Sequence, residues 1–316
     1  CLVRKEENEI RNILQSAWGS DRFHSLWDDS RISFVSSNLS SENLGLFPEQ
    51  LEMLAEEIDI ILHCGAHVHS ILPYSALKKT NVSGTMELLK LCCYGKAKAF
   101  HFVSTAGTLH GIPTSETELA MKAEHPFIDQ IGGYAQSKWV AERLVTQAHD
   151  RGLCATISRP SRISPHSRSC YWNPTDFFLL VIQGFIQMRL YPKSPQVNWN
   201  LSAVDFVSES IFAIIRENLM TADNGKIKVF NINYPHKMLS MDTLIEWIRA
   251  EGFGVFPVEY SDWSRRLSFI ESDNPLVPLC EFFQNLPQFP CSPSPPCKKL
   301  YELIDRENIS PRGLSE

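Results

Sequence analysis

Read for the spacing of apolar and polar positions, the first half of the chain alternates short apolar runs with helical stripes. Cys1-Leu2-Val3-Arg4 has the pattern of the end of a buried strand with a cation at its tip, and a helix follows from Asn8 to about Trp18. Arg31–Val35 predicts a short strand. Ile58–His63 predicts a buried parallel one, because its apolar positions run on without polar alternation. Leu77 to Cys92 reads as a helix in which Gly84 allows close approach to the sheet. Ala99-Phe100-His101-Phe102-Val103 is the next strand, tipped by Ser104-Thr105. After Gly132-Gly133 an apolar stripe of Trp139, Val140, Leu144 and Val145 marks a helix, and Ala155–Ser158 is a further strand.

Beyond Ser164 the alternation gives way to loops and aromatics, among them Tyr171, Trp172, Phe177, Phe178, Tyr191 and Trp199. A helix from Val204 to Arg216, a strand at Val229–Ile232 and a Ser240-capped helix from Met241 to Glu251, stopped by Gly252, come later. This order predicts an α/β fold: a Rossmann-like doubly wound parallel sheet with a smaller C-terminal substrate lobe. Residues 1–163 are expected to make an incomplete Rossmann domain, to which 200–233 return. Residues 164–199 and 234–285 make the lobe, and 286–316 a Pro-rich segment with a short closing helix near Leu300–Leu303. No G-x-G-x-x-G turn occurs in the sequence, so the first βα unit is expected to be missing and the chain to be part of a longer polypeptide. The strands at 1–4 and 58–63 should then lack a neighbour.

The chemistry centres on Tyr134 and Lys138. Four residues apart on a helix, they leave the same face, and the ammonium is expected to lower the phenol's pKa from about 10 so that it can pass a proton to a carbonyl oxygen. Tyr94 and Lys98 repeat the spacing, but only Tyr134 follows a strand with a hydroxyl tip, where open α/β sheets place their ligands. Tyr94 is therefore expected at the surface. Thr105 is positioned to share a substrate carbonyl with Tyr134.

Val103-Ser104-Thr105 with Gly133-Tyr134-Ala135-Gln136-Ser137-Lys138-Trp139-Val140-Ala141-Glu142 resembles the thioester reductase domains of non-ribosomal peptide synthetases, aminoadipate reductases and carboxylic acid reductases. These are extended short-chain dehydrogenases. The resemblance continues through Leu2-Val3-Arg4, Pro73-Tyr74, Asn81-Val82-Ser83-Gly84-Thr85, Arg159-Pro160-Ser161-Arg162-Ile163, Val204-Asp205-Phe206-Val207 and the stretch from Val258 to Leu267. It implies Thr105, Tyr134 and Lys138 as catalytic residues and NADPH as cofactor. For cofactor binding it implies Arg4, where an Arg suits the NADP phosphate, and Arg11, Asn38, Leu39, Cys64, Gly65, Ala66, Asn81, Ser104, Arg159, Pro160 and Ile163, together with Tyr134 and Lys138. Three positions depart from the family: Asn38 stands for an Asp, Cys64 for an Asn and Ser161 for a Gly.

The implied reaction is reductive release of a carrier-bound acyl or peptidyl thioester as an aldehyde or alcohol, the partner being a carrier domain with a phosphopantetheine arm. A free-standing extended dehydrogenase, such as a sugar epimerase or fatty acyl reductase, and a non-catalytic fragment are the alternatives. The rest of the composition narrows the field. With 316 residues, 43% of them apolar, the chain can bury a large core, and its net charge of −6 argues against nucleic acid. No apolar run has the ~20 residues that span a bilayer, and no signal-peptide pattern opens the chain. Nine cysteines without paired spacing point to reduced thiols and a cytoplasmic setting. No metal is expected, since His63, His67 and His69 straddle a strand end and a loop.

Overall fold

A computed structural model describes all residues except 6, 19–30, 122–123, 222–224, 235–237, 291–293 and 312–316, so parts of the Pro-rich and closing segments lie outside the described residues. The first half runs β1 (Leu2–Val3), α1 (Glu7–Trp18), β2 (Val35–Ser36), α2 (Pro48–Glu57), β3 (Ile60–His63), α3 (Tyr74–Lys78), α4 (Gly84–Cys93), β4 (Ala99–Val103), α5 (Gly133–His149) and β5 (Ala155–Pro160). The second half adds β6 (Arg162–Ser164), α6 (Phe177–Met188), β7 (Leu190–Pro192), β8 (Asn198–Trp199), β9 (Leu201–Ala203), α7 (Val204–Met220), β10 (Lys228–Ile232), β11 (Leu239–Ser240), α8 (Met241–Ala250), β12 (Phe256–Val258), α9 (Tyr260–Arg266), α10 (Cys280–Gln284) and α11 (Lys298–Arg306).

Strands β10, β5, β4 and β3 form one parallel sheet in that order, with Phe102 opposite Ile157 and Phe230 opposite Ser158. Strands β1 and β2 form a separate parallel pair. The strand expected over 31–35 is shorter and later, because β1 offers only Leu2 and Val3 as partners and these take Val35 and Ser36. Leu2 and Val35 nonetheless pack on the same core as Ile61, Phe100, Phe102, Ala141, Val145 and Ile157.

That core lies between one face of the sheet and helices α4 and α5. The other face is covered by α7 and α11, where Phe206, Val207, Ile211 and Ile214 meet Phe230, Ile232, Leu300 and Ile304. This cover stops short of β3. The apolar run there is buried on one side only: Ile61 and His63 point inward, while Ile60 and Leu62 are 36% and 48% exposed. Continuous burial was the sequence expectation; among the described residues the strand is buried on the α4 side alone. A second core belongs to the C-terminal lobe, built from Phe178, Phe185, Trp199, Ile245, Trp263, Phe283 and Phe289.

The expected stripe on α5 is also corrected. Its fully buried positions are Ser137, Lys138, Ala141, Glu142 and Val145, whereas Val140 and Leu144 are half-buried. Trp139 packs sideways on Ala106, Leu109 and Met121 of the loop after β4. The helix thus buries a mixed edge, with Ser137, Lys138 and Glu142 beside Ala141 and Val145, in place of its most apolar stripe.

Candidate active site

Three segments meet at the carboxyl end of β4. Thr105 leaves the strand in extended conformation, and its hydroxyl accepts from the Gly107 amide at 3.2 Å, capping a short 3-10 turn over Ala106–Leu109. Beside it α5 begins. Gly133 is required there: a Cβ would lie 2.4 Å from the Leu72 carbonyl oxygen and 2.5 Å from the Tyr74 nitrogen, backbone atoms that cannot swing aside. The absence of that Cβ lets the first turn of α5, with Tyr134, seat against the start of α3.

Asn81 ties the third segment in. It sits in a π-helical turn, Lys79–Ser83, between α3 and α4, a deviation that recurs at functional sites. Its side-chain carbonyl accepts from His67 N at 2.7 Å, and its amide donates to His67 O at 3.1 Å and Ser137 Oγ at 2.9 Å. Ser137 in turn donates to the Tyr134 carbonyl at 2.7 Å. Every polar atom of a buried side chain is thereby used to fix the loop after β3 against the Tyr134 turn.

Lys138 is 2% exposed, and its Nζ lies 4.0 Å from the centre of the Phe102 ring, a cation–π contact in a dry setting. Burial lowers its pKa to about 8, against the upward pull of Glu142 and Cys64. His63, 3% exposed and 3.0 Å from Thr85 Oγ1, is held neutral: burial, aided by the Lys138 charge, pushes it down to about 3. Tyr134 reverses the sequence expectation. Burial raises its phenol to about 12, so the group stays protonated.

The remaining expected contacts sort by placement. Arg4 is exposed just past the tip of β1, and Arg11 is exposed on α1. Leu39 presses close to Gly65 and Gly84, where added Cβ atoms would come within 2.7 Å and 2.6 Å of it. The Asn38 carbonyl is engaged locally by Ser40, at 3.0 Å from N and 2.7 Å from Oγ, closing an Asx-type turn. Cys64 is exposed and Ala66 half-buried, both directly after β3; Pro160 is buried at the end of β5, and Ile163 is 37% exposed on β6. Ser104 Oγ is buried with no hydrogen-bond partner, an orphan hydroxyl at the strand end. The Ser161 hydroxyl bonds the Asn233 side chain, which gives this extra side chain a place of its own.

Arg159 has a structural side-chain role. Its side chain is fully buried and paired with Glu142 of α5, with Nε to Oε1 at 3.0 Å and a second nitrogen to Oε2 at 2.6 Å. The other donors reach Thr117 O at 2.8 Å and Leu119 O at 3.1 Å. Its guanidinium is thus held inside the protein by a carboxylate and two backbone carbonyls. Sequence reading missed Glu142, whose position four residues after Lys138 was the available signal. Among the described residues no cluster of three His, Cys, Asp or Glu has the geometry of a metal site, and no helix is long and apolar enough to cross a membrane.

A parallel sheet, a hydroxyl at the end of β4 and a Tyr-x-x-x-Lys helix beside it define an oxidoreductase of the extended short-chain dehydrogenase class, with a nicotinamide cofactor. Residues 1–211 match the NAD-binding family described as male sterility protein, and the chain belongs to that family, as a thioester reductase (R) domain. It is 31% identical over 335 residues to L-2-aminoadipate reductase of Schizosaccharomyces pombe, covering 97% of this chain and 22% of that protein. It is 33% identical over 282 residues to the glycine betaine reductase of Emericella nidulans, covering 83% of this chain and 21% of that protein. The terminal R domain of the myxalamid PKS-NRPS pathway superposes with a TM-score of 0.82 at 31% identity, over 100% of this chain and 80% of that one. The chain therefore spans less than a quarter of these two curated relatives.

Proposed function

We propose that the chain carries out NADPH-dependent reductive release of an acyl or peptidyl thioester held on a carrier domain of the same polypeptide. The product is an aldehyde, or an alcohol after a second round. The observation that carries this reading is the packing of the turn after Thr105 against α5, the helix of Tyr134 and Lys138, with Thr108 3.4 Å from Glu142 and Trp139 on Ala106 and Leu109.

The residues present fit the nicotinamide-ribose end of such a cofactor: the orphan Ser104 hydroxyl, buried Lys138 and the exposed turn at Cys64-Gly65-Ala66 lie on or beside β3 and β4. Arg4 would take the 2′-phosphate. When bound, the nicotinamide supplies the hydride. Tyr134, kept protonated by burial, donates to the thioester oxygen together with Thr105 and stabilises the charge that develops there. The proton that the oxygen acquires comes from Tyr134 Oη. Lys138, largely an ammonium at pH 7, supports that transfer. The carbon–sulfur bond of the resulting hemithioacetal then breaks as its hydroxyl gives up that proton to the sulfur, freeing the aldehyde and the carrier thiol.

The test is Tyr134→Phe in the full polypeptide with a loaded carrier. Loss of one positioned proton donor should slow reduction about 10²–10⁴-fold, while cofactor binding, read by fluorescence, stays within a few-fold. Tyr94→Phe is the neutral control. Unchanged turnover in Tyr134→Phe would reject the assignment.

A further inference from the structure

The Glu142–Arg159 pair is buried far more deeply than a surface ion pair, with both side chains at 0% exposure. Removing two charges from water costs several kcal/mol per ion, so such a pair is weak evidence for stability and needs another reason to be there. Its connections supply one. Arg159 belongs to β5 and Glu142 to α5. Thr108, in the turn that Thr105 caps, donates its hydroxyl to the Thr105 carbonyl at 2.9 Å and lies 3.4 Å from Glu142 Oε1. The His125 ring meets the Thr108 carbonyl at 3.0 Å and packs edge-on to Trp139 of α5. Arg159 also holds the carbonyls of Thr117 and Leu119 farther along the same loop.

We propose that Glu142 and Arg159 are positioning residues that lock β5, α5 and the loop from Thr105 to Leu119 into one unit, fixing Thr105 against the Tyr134/Lys138 edge. The inference rests on the reductase reading for what that spacing is used for, but the lock itself is independent of it. The same carboxylate, one turn along α5 from Lys138, favours that ammonium. The other titratable groups around Lys138 are Tyr134 on α5 and His63 and Cys64 at the end of β3. Burial holds Tyr134 and His63 neutral, and partial desolvation at its exposed turn raises the Cys64 thiol. Glu142 is thus the carboxylate next to Lys138 along α5, and Arg159 holds it in place.

The experiment measures the Lys138 titration directly, by NMR of carbon-labelled lysine, in the full polypeptide carrying Glu142→Gln and, separately, Glu142→Gln with Arg159→Met. The double variant removes both charges and so leaves no unpaired ion to unfold the domain. Lys138→Arg assigns the signal. The lock predicts that Lys138 titrates lower than in the parent in folded Glu142→Gln, with a smaller shift in the double variant, where loss of the Arg159 cation offsets part of the lost carboxylate, and that the alkaline side of the reductase pH profile moves with it. It also predicts a fall in kcat of at least about tenfold with KM for the cofactor little changed. A folded double variant with an unmoved Lys138 titration and unchanged kcat would overturn the inference. A shifted titration in a protein whose parent reduces no thioester would instead refute the reductase reading and leave the lock standing.

Discussion

Two buried histidines should make this domain acid-sensitive well above the range where carboxylates titrate. His101 on β4 is 1% exposed and bridges Thr156 Oγ1 at 2.7 Å and Ser158 Oγ at 3.0 Å on the neighbouring strand β5. Burial holds it at about 3, as it does His63. Both rings are neutral in the folded state, while an unfolded chain takes up a proton on each below about pH 6.5. Stability rises with pH wherever the unfolded state binds more protons, so here it must fall as pH drops from about 6.5 toward 3.

Between pH 7 and pH 5 each histidine opens a gap of about 1.5 units, worth roughly 2 kcal/mol, or about 4 kcal/mol for the pair. Against a total of 5–15 kcal/mol for an ordinary domain that is a large share. Other groups contribute little in this window. Lys138, lowered to about 8, changes stability only above that pH, and Asp205, held at about 2 chiefly through its bonds to Ser167 against the opposing cost of burial, acts only near and below pH 4. Glu118, raised by burial, pulls weakly in the opposite direction near pH 5. Urea unfolding at pH 7 and pH 5 measures the loss. His101→Gln keeps polar contact with the two hydroxyls but cannot charge, so its loss over the same interval should be smaller by about 2 kcal/mol. If the variant loses as much stability as the parent, His101 is not the neutral buried group described.

Two further outcomes follow from single positions. Gly133→Ala places a Cβ 2.4–2.6 Å from the backbone of Leu72, Pro73 and Tyr74 and should cost about 1–3 kcal/mol in urea unfolding, with turnover reduced because Tyr134 is the next residue; Gly132→Ala, with nothing within 4 Å, should be nearly silent. Equal effects at the two glycines would refute the close approach. Arg4→Ala in the full polypeptide should narrow the preference for NADPH over NADH by about one to two decades, the worth of one charge-assisted contact, and an unmutated protein that uses both cofactors equally would remove Arg4 from the site.

What the sequence made legible was whatever depends on near neighbours. The Ser240 cap is one case: its hydroxyl accepts from Thr243 N at 3.1 Å and starts α8 where a Ser before an apolar stripe predicts it. The β-α order through Ile157 is another, since each apolar run needs only its own spacing to be read. Charges that pair across long separations were not legible. The side-chain pairing of Arg159 is the case in point, because its partners, Glu142 and the Thr117 and Leu119 carbonyls, lie 17 to 42 positions away. For the same reason the buried edge of α5 was taken to be its apolar stripe. The phenol's pKa went the wrong way because spacing reveals a neighbouring charge but not the depth at which both groups are buried.

The two Tyr-x-x-x-Lys segments show how far spacing goes. Tyr134 and Lys138 share one helix, whereas Tyr94 is the residue at which α4 ends, in extended conformation and 47% exposed. The helical register that would set Tyr94 beside Lys98 is therefore never formed. Lys98 is nevertheless buried, with its ammonium on the carbonyls of Ala55 at 2.6 Å, Tyr94 at 2.8 Å and Lys96 at 2.5 Å, where it closes the ends of α2 and α4. All three donors are used, so none is left to steer a phenol. Lys138 meets an aromatic face in place of carbonyls and keeps its charge available at the end of β4. The same four-residue spacing thus yields a helix clamp in one place and a candidate catalytic pair in the other, and the difference is whether the helix continues through it.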